Sequence, residues 1–379
     1  MSGRDALPLD ELVEEAQRML SICNACRYCE GFCAVFPALE RRLEFTENDV
    51  HYLANLCHNC GACLYACQYA PPHEFNLDLP KLLSTVRGQT YRKYAWPAGF
   101  ARLYDRNGLV VSLAIAFSIF AAFFFTGWYA GGVRFFSEWS DAEGSFYALL
   151  PHPVMAGLFG VVFLFAIAAL TAAFARFWPD MGEETLKFVK APPLSAALSD
   201  AATLRYLDGG GEGCTYPDER PSFARRNFHH LTFWGFVLCF LATVVGTVYH
   251  YVFAIRAPYP FYSLPVILGT LGGLGLIAGP IGLIALRARR DPALGDAAQA
   301  SMDRGFLALL LGTSITGLGL LFMRESVMMG TWLSLHLGFV LAFFVTMPYG
   351  KFVHGLYRLA ALVRFHIERR RPLPDFAAE

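Results

Sequence analysis

Eight of the ten cysteines fall into two runs of identical spacing. Cys23, Cys26, Cys29 and Cys33 form C-x2-C-x2-C-x3-C, and Cys57, Cys60, Cys63 and Cys67 repeat it. Three thiolates two residues apart can face three corners of an iron–sulfur cube. In two-cluster proteins of this pattern the fourth cysteine of each run crosses to the other cluster. The spacing therefore predicts one [4Fe–4S] cluster on Cys23, Cys26, Cys29 and Cys67, and a second on Cys57, Cys60, Cys63 and Cys33. A structural zinc site would need only paired C-x2-C, leaving the third and fourth thiols surplus. A disulfide framework needs an oxidising compartment, and no signal-peptide pattern opens the chain.

The second chemical signal is histidine at the ends of apolar stretches, where a ring nitrogen needs a partner. His229-His230 opens one such stretch and His250 closes it; His336 opens the last one and His354 ends it. On a continuous helix His336 and His354 would share a face about 27 Å apart, and His229 and His250 would lie about 60° apart around the axis. Facing imidazoles at one depth can fill both axial positions of a b haem, an electron carrier with no open site. The expected cytoplasmic-side pair is His230 or His229 with His354, His230 being preferred. A second haem requires His250 with His336. His152, between Pro151 and Pro153, reads as a loop residue, and His58 beside Cys57 as a neighbour of the cluster ligands.

These residues must be positioned by two different kinds of structure. Residues 1–95 read as a soluble domain, helical between the cysteine runs, with Leu39, Leu43, Val50, Leu53 and Leu56 near a 3.6 period. That pattern predicts an all-α ferredoxin. Ala34 and Gln68 stand where bacterial ferredoxins usually place proline, and prolines follow later at Pro37, Pro71 and Pro72. Residues 96–379 read as a membrane domain. The chain is 55% hydrophobic and only 16% charged, beyond the range of soluble domains. Six apolar stretches approach the ~20 residues that cross a bilayer, at about 108–130, 154–177, 231–253, 264–286, 305–323 and 332–353. The fifth is short and carries Gly312, Gly317 and Gly319.

Charge placement orients this domain. With the cysteine domain in the cytoplasm, the outer loops hold only Arg134, Arg256 and Arg324 of the 31 Lys and Arg residues. The remainder fall inside, an asymmetry that places both termini in the cytoplasm of a bacterial inner membrane. Arg87, Arg92, Lys93, Arg102 and Arg106 form a basic collar expected to face headgroups or a partner. The zero formal net charge hides this asymmetry and gives no sign of a nucleic-acid partner. The internal loop 178–228 carries Gly209-Gly210-Gly211-Glu212-Gly213-Cys214-Thr215-Tyr216-Pro217. It follows no predicted strand and lacks a phosphate-binding lysine, so it reads as an ordered turn facing the cysteine domain or a partner. Cys214 reads first as structural, with a ninth thiol beside a cluster as the alternative.

Leu335-His336-Leu337 through Val353-His354 resembles the last haem-binding helix of the respiratory nitrate reductase gamma subunit, and Asn227-Phe228-His229-His230 resembles the start of its other ligand helix. That family has a further histidine ten residues along, where Cys239 or Phe240 stands here. The whole chain is similar to the tricarballylate/citrate-utilisation protein B family. The paired cysteine runs, the loop Gly211 to Pro217, the Arg225-Arg226-x-x-His229-His230 entry and the six spans carry that resemblance. It implies a membrane partner of an FAD-dependent tricarboxylate dehydrogenase. Electrons from reduced flavin would pass through two [4Fe–4S] clusters and haem b to membrane quinone. Two alternatives are a quinol-oxidising subunit feeding a cytoplasmic reductase, and the redox module of a cobalamin-biosynthesis flavoprotein. No flavin-binding fingerprint is present in the chain itself.

Overall fold

The computed structural model describes residues 8–139, 145–182 and 191–372. Within them the fold is helical, apart from one short antiparallel ribbon pairing Cys214–Thr215 with Pro221–Ser222.

The cysteine domain is built from α1 (Leu9–Cys26), α2 (Val35–Leu39), α3 (Glu47–Leu56), α4 (Ala62–Tyr65) and α5 (Leu79–Tyr94). Leu12, Ala16, Met19 and Leu20 of α1 pack with Val50, Leu53 and Leu56 of α3 in one buried core. Each buried leucine, valine or methionine among them contributes about 1.5–3 kcal/mol on burial. Leu43, expected on the same face, is 67% exposed in the turn between α2 and α3. Helix α1 stops at Arg27, whose left-handed backbone (φ 56°) returns its N–H to Cys23. Cys23 and Cys26 therefore ride the last turn of α1, and Cys29 and Cys33 follow in the turn beyond it. Helix α3 begins with a capping box: Asp49 N–H donates to the Thr46 hydroxyl, and Thr46 N–H to the Asp49 carboxylate. Such a cap is worth about 1 kcal/mol. The helix ends at Cys57, which opens the second run.

Helix α6 (Ala98–Arg106) leads into the apolar region, which contains α7 (Gly108–Gly131), α8 (Ser145–Leu149), α9 (His152–Phe177), α10 (Ala191–Ala202), α11 (Ala224–Tyr251), α12 (Leu264–Ala288), α13 (Ala300–Met323) and α14 (Met329–Thr346). Six of these, α7, α9, α11, α12, α13 and α14, are long and apolar enough to cross a membrane. Helix α14 is the most enclosed of the six and packs against α7, α9 and α13. Helices α11 and α12 lie unusually close. Gly272, Gly275 and Gly279 meet Gly235, Leu231, Thr232 and Phe228 through backbone atoms, an approach that only the absence of a Cβ permits.

Two boundaries differ from the sequence reading. Helix α11 starts at Ala224, so Arg225, Arg226, His229 and His230 belong to its first two turns. The sixth span ends at Thr346. A turn follows, and α15 (Val353–Arg369) starts a separate helix. Pro348 has no N–H for the ladder and Gly350 favours the break. His336 and His354 therefore lie on different helices, and the 27 Å spacing along one axis does not apply.

Helix α15 is clamped to the cysteine domain. Asp49 accepts from Arg42 and Arg364, each at 2.7 Å, and Arg364 also reaches Glu368 at 2.9 Å. The Tyr52 ring lies against both guanidinium groups, at 5.1 and 4.3 Å. On the other face of α15, His366 bonds Asp200 of α10 at 2.7 Å. This clamp fixes where His354 sits.

Candidate functional site

The fold gathers the eight thiols into two sets. A cavity of about 260 Å3 is lined by Cys23, Cys26, Cys29 and Cys67, with Cys63 at its edge and Tyr28, Phe36 and Leu79 around it. A smaller one of about 20 Å3 is lined by Cys33, Cys57, Cys60 and Cys63, with Phe32, Phe36, His58 and Asn59. The fourth cysteine of each run thus lies with the first three of the other. The electrostatics divide the same way. Burial and then the charges of Cys67, Cys29 and Cys26 push the Cys23 thiol up to about 12. Burial, then Cys67 and Cys26, do the same to Cys29. Burial, then Cys60 and Cys57, push Cys33 up. Thiols crowded in this way repel one another as thiolates unless a cation lies between them.

Among the described residues no three of His, Cys, Asp or Glu close on a point as a single metal ion requires. Four thiols around a cavity suit a larger, multi-iron group. For the first set both room and donors fit a [4Fe–4S] cluster; for the second the fit rests on the donor set.

The second set is enclosed by cations. Arg87 Nη1 donates to the carbonyl of Cys57 at 2.7 Å and to that of Ala54 at 3.1 Å. Arg358 Nη2 reaches the same Cys57 carbonyl at 2.5 Å. Arg225 donates to the carbonyls of Asn59 (2.5 Å) and His58 (3.1 Å). Arg87 is buried, not part of an exposed collar as its sequence position suggested. Arg92 and Lys93 do face outward, paired with Asp105 at 3.0 Å and Glu47 at 2.9 Å. Lys351 lies nearby, bonded to Gln299 at 3.1 Å and paired with the Asp303 carboxylate at 3.1 Å. Burial and then Arg87, Arg287, Arg358 and Arg225 hold its amine well below the usual lysine range. Buried cations in this excess are costly without a facing anion.

Beside this group the rings of His229 and His354 meet in a T-shaped arrangement, with centroids 6.0 Å apart at 70°. A metal–imidazole bond of about 2 Å plus about 1 Å from nitrogen to ring centre, on each side, gives about 6 Å. His354 Nδ1 is bonded to the Lys351 carbonyl, which leaves Nε2 for a ligand. The buried Nδ1 of His229 has no hydrogen-bond partner. His230, the preferred candidate from sequence, does not make this pair; its ring contacts the backbone of Thr203.

The expected outer pair is not formed either. His250 stacks on His152, with centroids 3.7 Å apart at 14°, and contacts Tyr147 and Tyr251. His336 Nδ1 lies 3.2 Å from the Thr316 hydroxyl, against Gly317 of α13. No ring contact joins His250 to His336 among the described residues. His152, read as a loop residue, opens α9.

The glycine-rich loop lies on the cysteine domain. A Cβ on Gly61 would meet the Thr215 carbonyl at 2.3 Å, and one on Gly210 would meet Gly31 and Phe32. This places Cys214 in one apolar cluster with Cys60, Ala62, Leu64, Tyr216 and Leu294. The Cys60 thiol beside it and burial push the Cys214 thiol up.

Residues 104–375 match the family described as Citrate utilization protein B, and residues 16–93 match its Fer4-like domain. The chain belongs to this family. It is 51% identical over 368 residues to the Citrate utilization protein B of Escherichia coli, covering 97% of this chain and 95% of that protein. No solved structure matches. Within the family fold, the N-terminal part is an iron–sulfur domain of the Fer4-like type and the remainder carries the membrane-length helices. Arg87, Arg225 and Arg358 were not read as site residues from sequence; the Arg225-Arg226 entry to α11 was the available signal for one of them.

Proposed function

We propose that this chain is a membrane electron-transfer protein serving an FAD-dependent citrate- or tricarballylate-type dehydrogenase. It reoxidises the partner's reduced flavin and delivers the electrons to quinone. When bound, two [4Fe–4S] clusters and one b haem supply the single-electron carriers that split a two-electron flavin oxidation. The Citrate utilization protein B relative motivates the substrate class.

The chain's own residues have defined parts. Cys23, Cys26, Cys29 and Cys67 would hold the cluster nearer the surface, beside exposed Tyr28. Cys57, Cys60, Cys63 and Cys33 would hold the inner one. His229 and His354 would hold the haem iron. Arg87, Arg225 and Arg358, which bond backbone carbonyls within residues 54–59, would offset the negative charge of a tetrathiolate cluster and of haem propionates.

The observation that carries this reading is the position of Arg358. It bonds the Cys57 carbonyl, and its charge acts on His354 and on His58. Arg358 thus lies close enough to act on both the inner thiol set and the imidazole pair, which supports a short route between the cysteine domain and the membrane helices. Both termini and the cysteine domain would face the cytoplasm of a bacterial inner membrane. Purified protein tests the cofactor set: about eight cluster irons and one low-spin b haem per chain are expected. Iron fitting a single cluster, or absence of haem, would refute it.

A further inference from the structure

We infer that Asp303 is a positioning residue for the haem ligand His354, acting through Lys351. This rests on the haem reading above and goes beyond it, because Asp303 stands in the first turn of α13, on a different helix from either imidazole.

The contacts run without a gap from Asp303 to the ring. His354 is the second residue of α15, and the Lys351 carbonyl accepts from it twice: from its backbone N–H at 3.2 Å and from ring Nδ1. A carbonyl can only accept, so Nδ1 carries the proton, and the ring is folded back onto the turn between α14 and α15. That turn is pinned by the Lys351 amine. The amine pairs with the Asp303 carboxylate at 3.1 Å, bonds the Gln299 side-chain oxygen at 3.1 Å and lies 5.6 Å from the centre of the Tyr91 ring. The other oxygen of Asp303 accepts from Arg287 of α12. One carboxylate, 14% exposed, thus ties the turn to both α12 and α13. Gln299 adds a tie to α5, its amide donating to the Ser84 hydroxyl at 3.3 Å.

The clamp on Asp49 holds α15 behind His354; Asp303 holds the turn ahead of it. For a haem ligated through Nε2, the Nδ1 hydrogen bond fixes the ring plane and makes the ligating nitrogen a stronger donor. Such outer partners are one of the levers on haem potential. Without Asp303 the enclosed amine loses its carboxylate partner, and an unsatisfied buried donor is costly. The turn then relaxes and takes with it the carbonyl that orients the ring. The looser ring is a weaker donor, which favours the reduced haem.

The test is an EPR-monitored redox titration of the detergent-purified holoprotein and of D303A and K351M. The low-spin haem signal reports the angle between the two imidazole planes, and cluster iron in the same samples reports folding. Asp303→Ala and Lys351→Met should both move that signal and raise the haem midpoint, favouring reduction by about three- to tenfold. Tenfold is 59 mV for one electron. Loss of the haem from D303A with cluster iron retained also supports the assignment. If D303A loses its cluster iron as well, K351M carries the same test, because it removes the amine together with its need for a partner. A native haem signal in the folded variants overturns the assignment, even if the midpoint shifts, since a shift alone marks charge acting at a distance. Absence of b haem from the native protein would instead defeat the haem reading itself, so the two failures are distinguishable.

Discussion

Replacing Gly279 by alanine should displace the imidazole pair without touching it. A Cβ there would meet the backbone nitrogen of Thr232 at 2.7 Å and the carbonyl oxygen of Phe228 at 2.8 Å. Ordinary contacts begin at about 3.4 Å, so α11 and α12 must part by roughly 0.6–0.7 Å, because backbone on both sides cannot rotate away. Overpacking of this kind costs about 1–3 kcal/mol. Phe228 and Thr232 flank His229 on α11, whereas His354 is held by the α15 clamp to the cysteine domain. The strain therefore opens the gap between the two rings. The assay is haem per protein by pyridine haemochrome, with cluster iron measured in the same sample. Haem should fall several-fold while cluster iron is retained. Gly157→Ala, where nothing lies within 4 Å, serves as the control and should leave both unchanged. Normal haem content in Gly279→Ala would refute the claim that the glycine seam positions the ligand.

Other substitutions test the remaining assignments. Cys67→Ser should remove the cluster otherwise held by Cys23, Cys26 and Cys29, and Cys33→Ser the inner one; each should halve cluster iron, with different EPR signals surviving. His229→Ala and His354→Ala should abolish the b-haem spectrum and His230→Ala should not, checked by reduced-minus-oxidised difference spectra. Asp49→Asn leaves Arg42 and Arg364 without their shared carboxylate and should cost about 3 kcal/mol, read by denaturant unfolding of the detergent-solubilised protein. Burial alone would raise Asp49, but Arg42 and Arg364 outweigh it and hold the carboxyl below its usual range. Its stabilisation is therefore present above the unfolded value near 3.8 and lost as pH falls through the lower folded value, so Asp49→Asn should lose this acid-dependent component.

The features that were legible in the sequence are those encoded by local spacing. Two C-x2-C-x2-C-x3-C runs place their thiols in the same turns wherever they occur, and stretches of twenty apolar residues become membrane-length helices because hydrocarbon leaves the backbone no other partner. The histidine pairing depended on helix rotation and helix ends, which are set elsewhere. His229 faces His354, rather than His230 doing so, because Phe228, Thr232 and Gly235 are turned onto α12 by its glycines. The run through Val353 looked like one span because hydropathy averages over Pro348 and Gly350, the two residues that end it. His152 and Cys214 were each read alone, since their partners His250 and Cys60 are distant in sequence and are met only through packing. Arg87 and Arg358 look like ordinary interfacial cations until the carbonyl of Cys57 is seen between them.

The most direct test of the central claim uses membranes containing this chain, its reduced flavoprotein partner and a soluble quinone, followed by stopped-flow absorbance. The account predicts that the b haem is reduced before quinone, and that Cys57→Ser and His354→Ala each block quinone reduction. Equal rates of quinone reduction by the flavoprotein in membranes lacking this chain would contradict it, as would reduction of the haem by quinol but not by the flavoprotein.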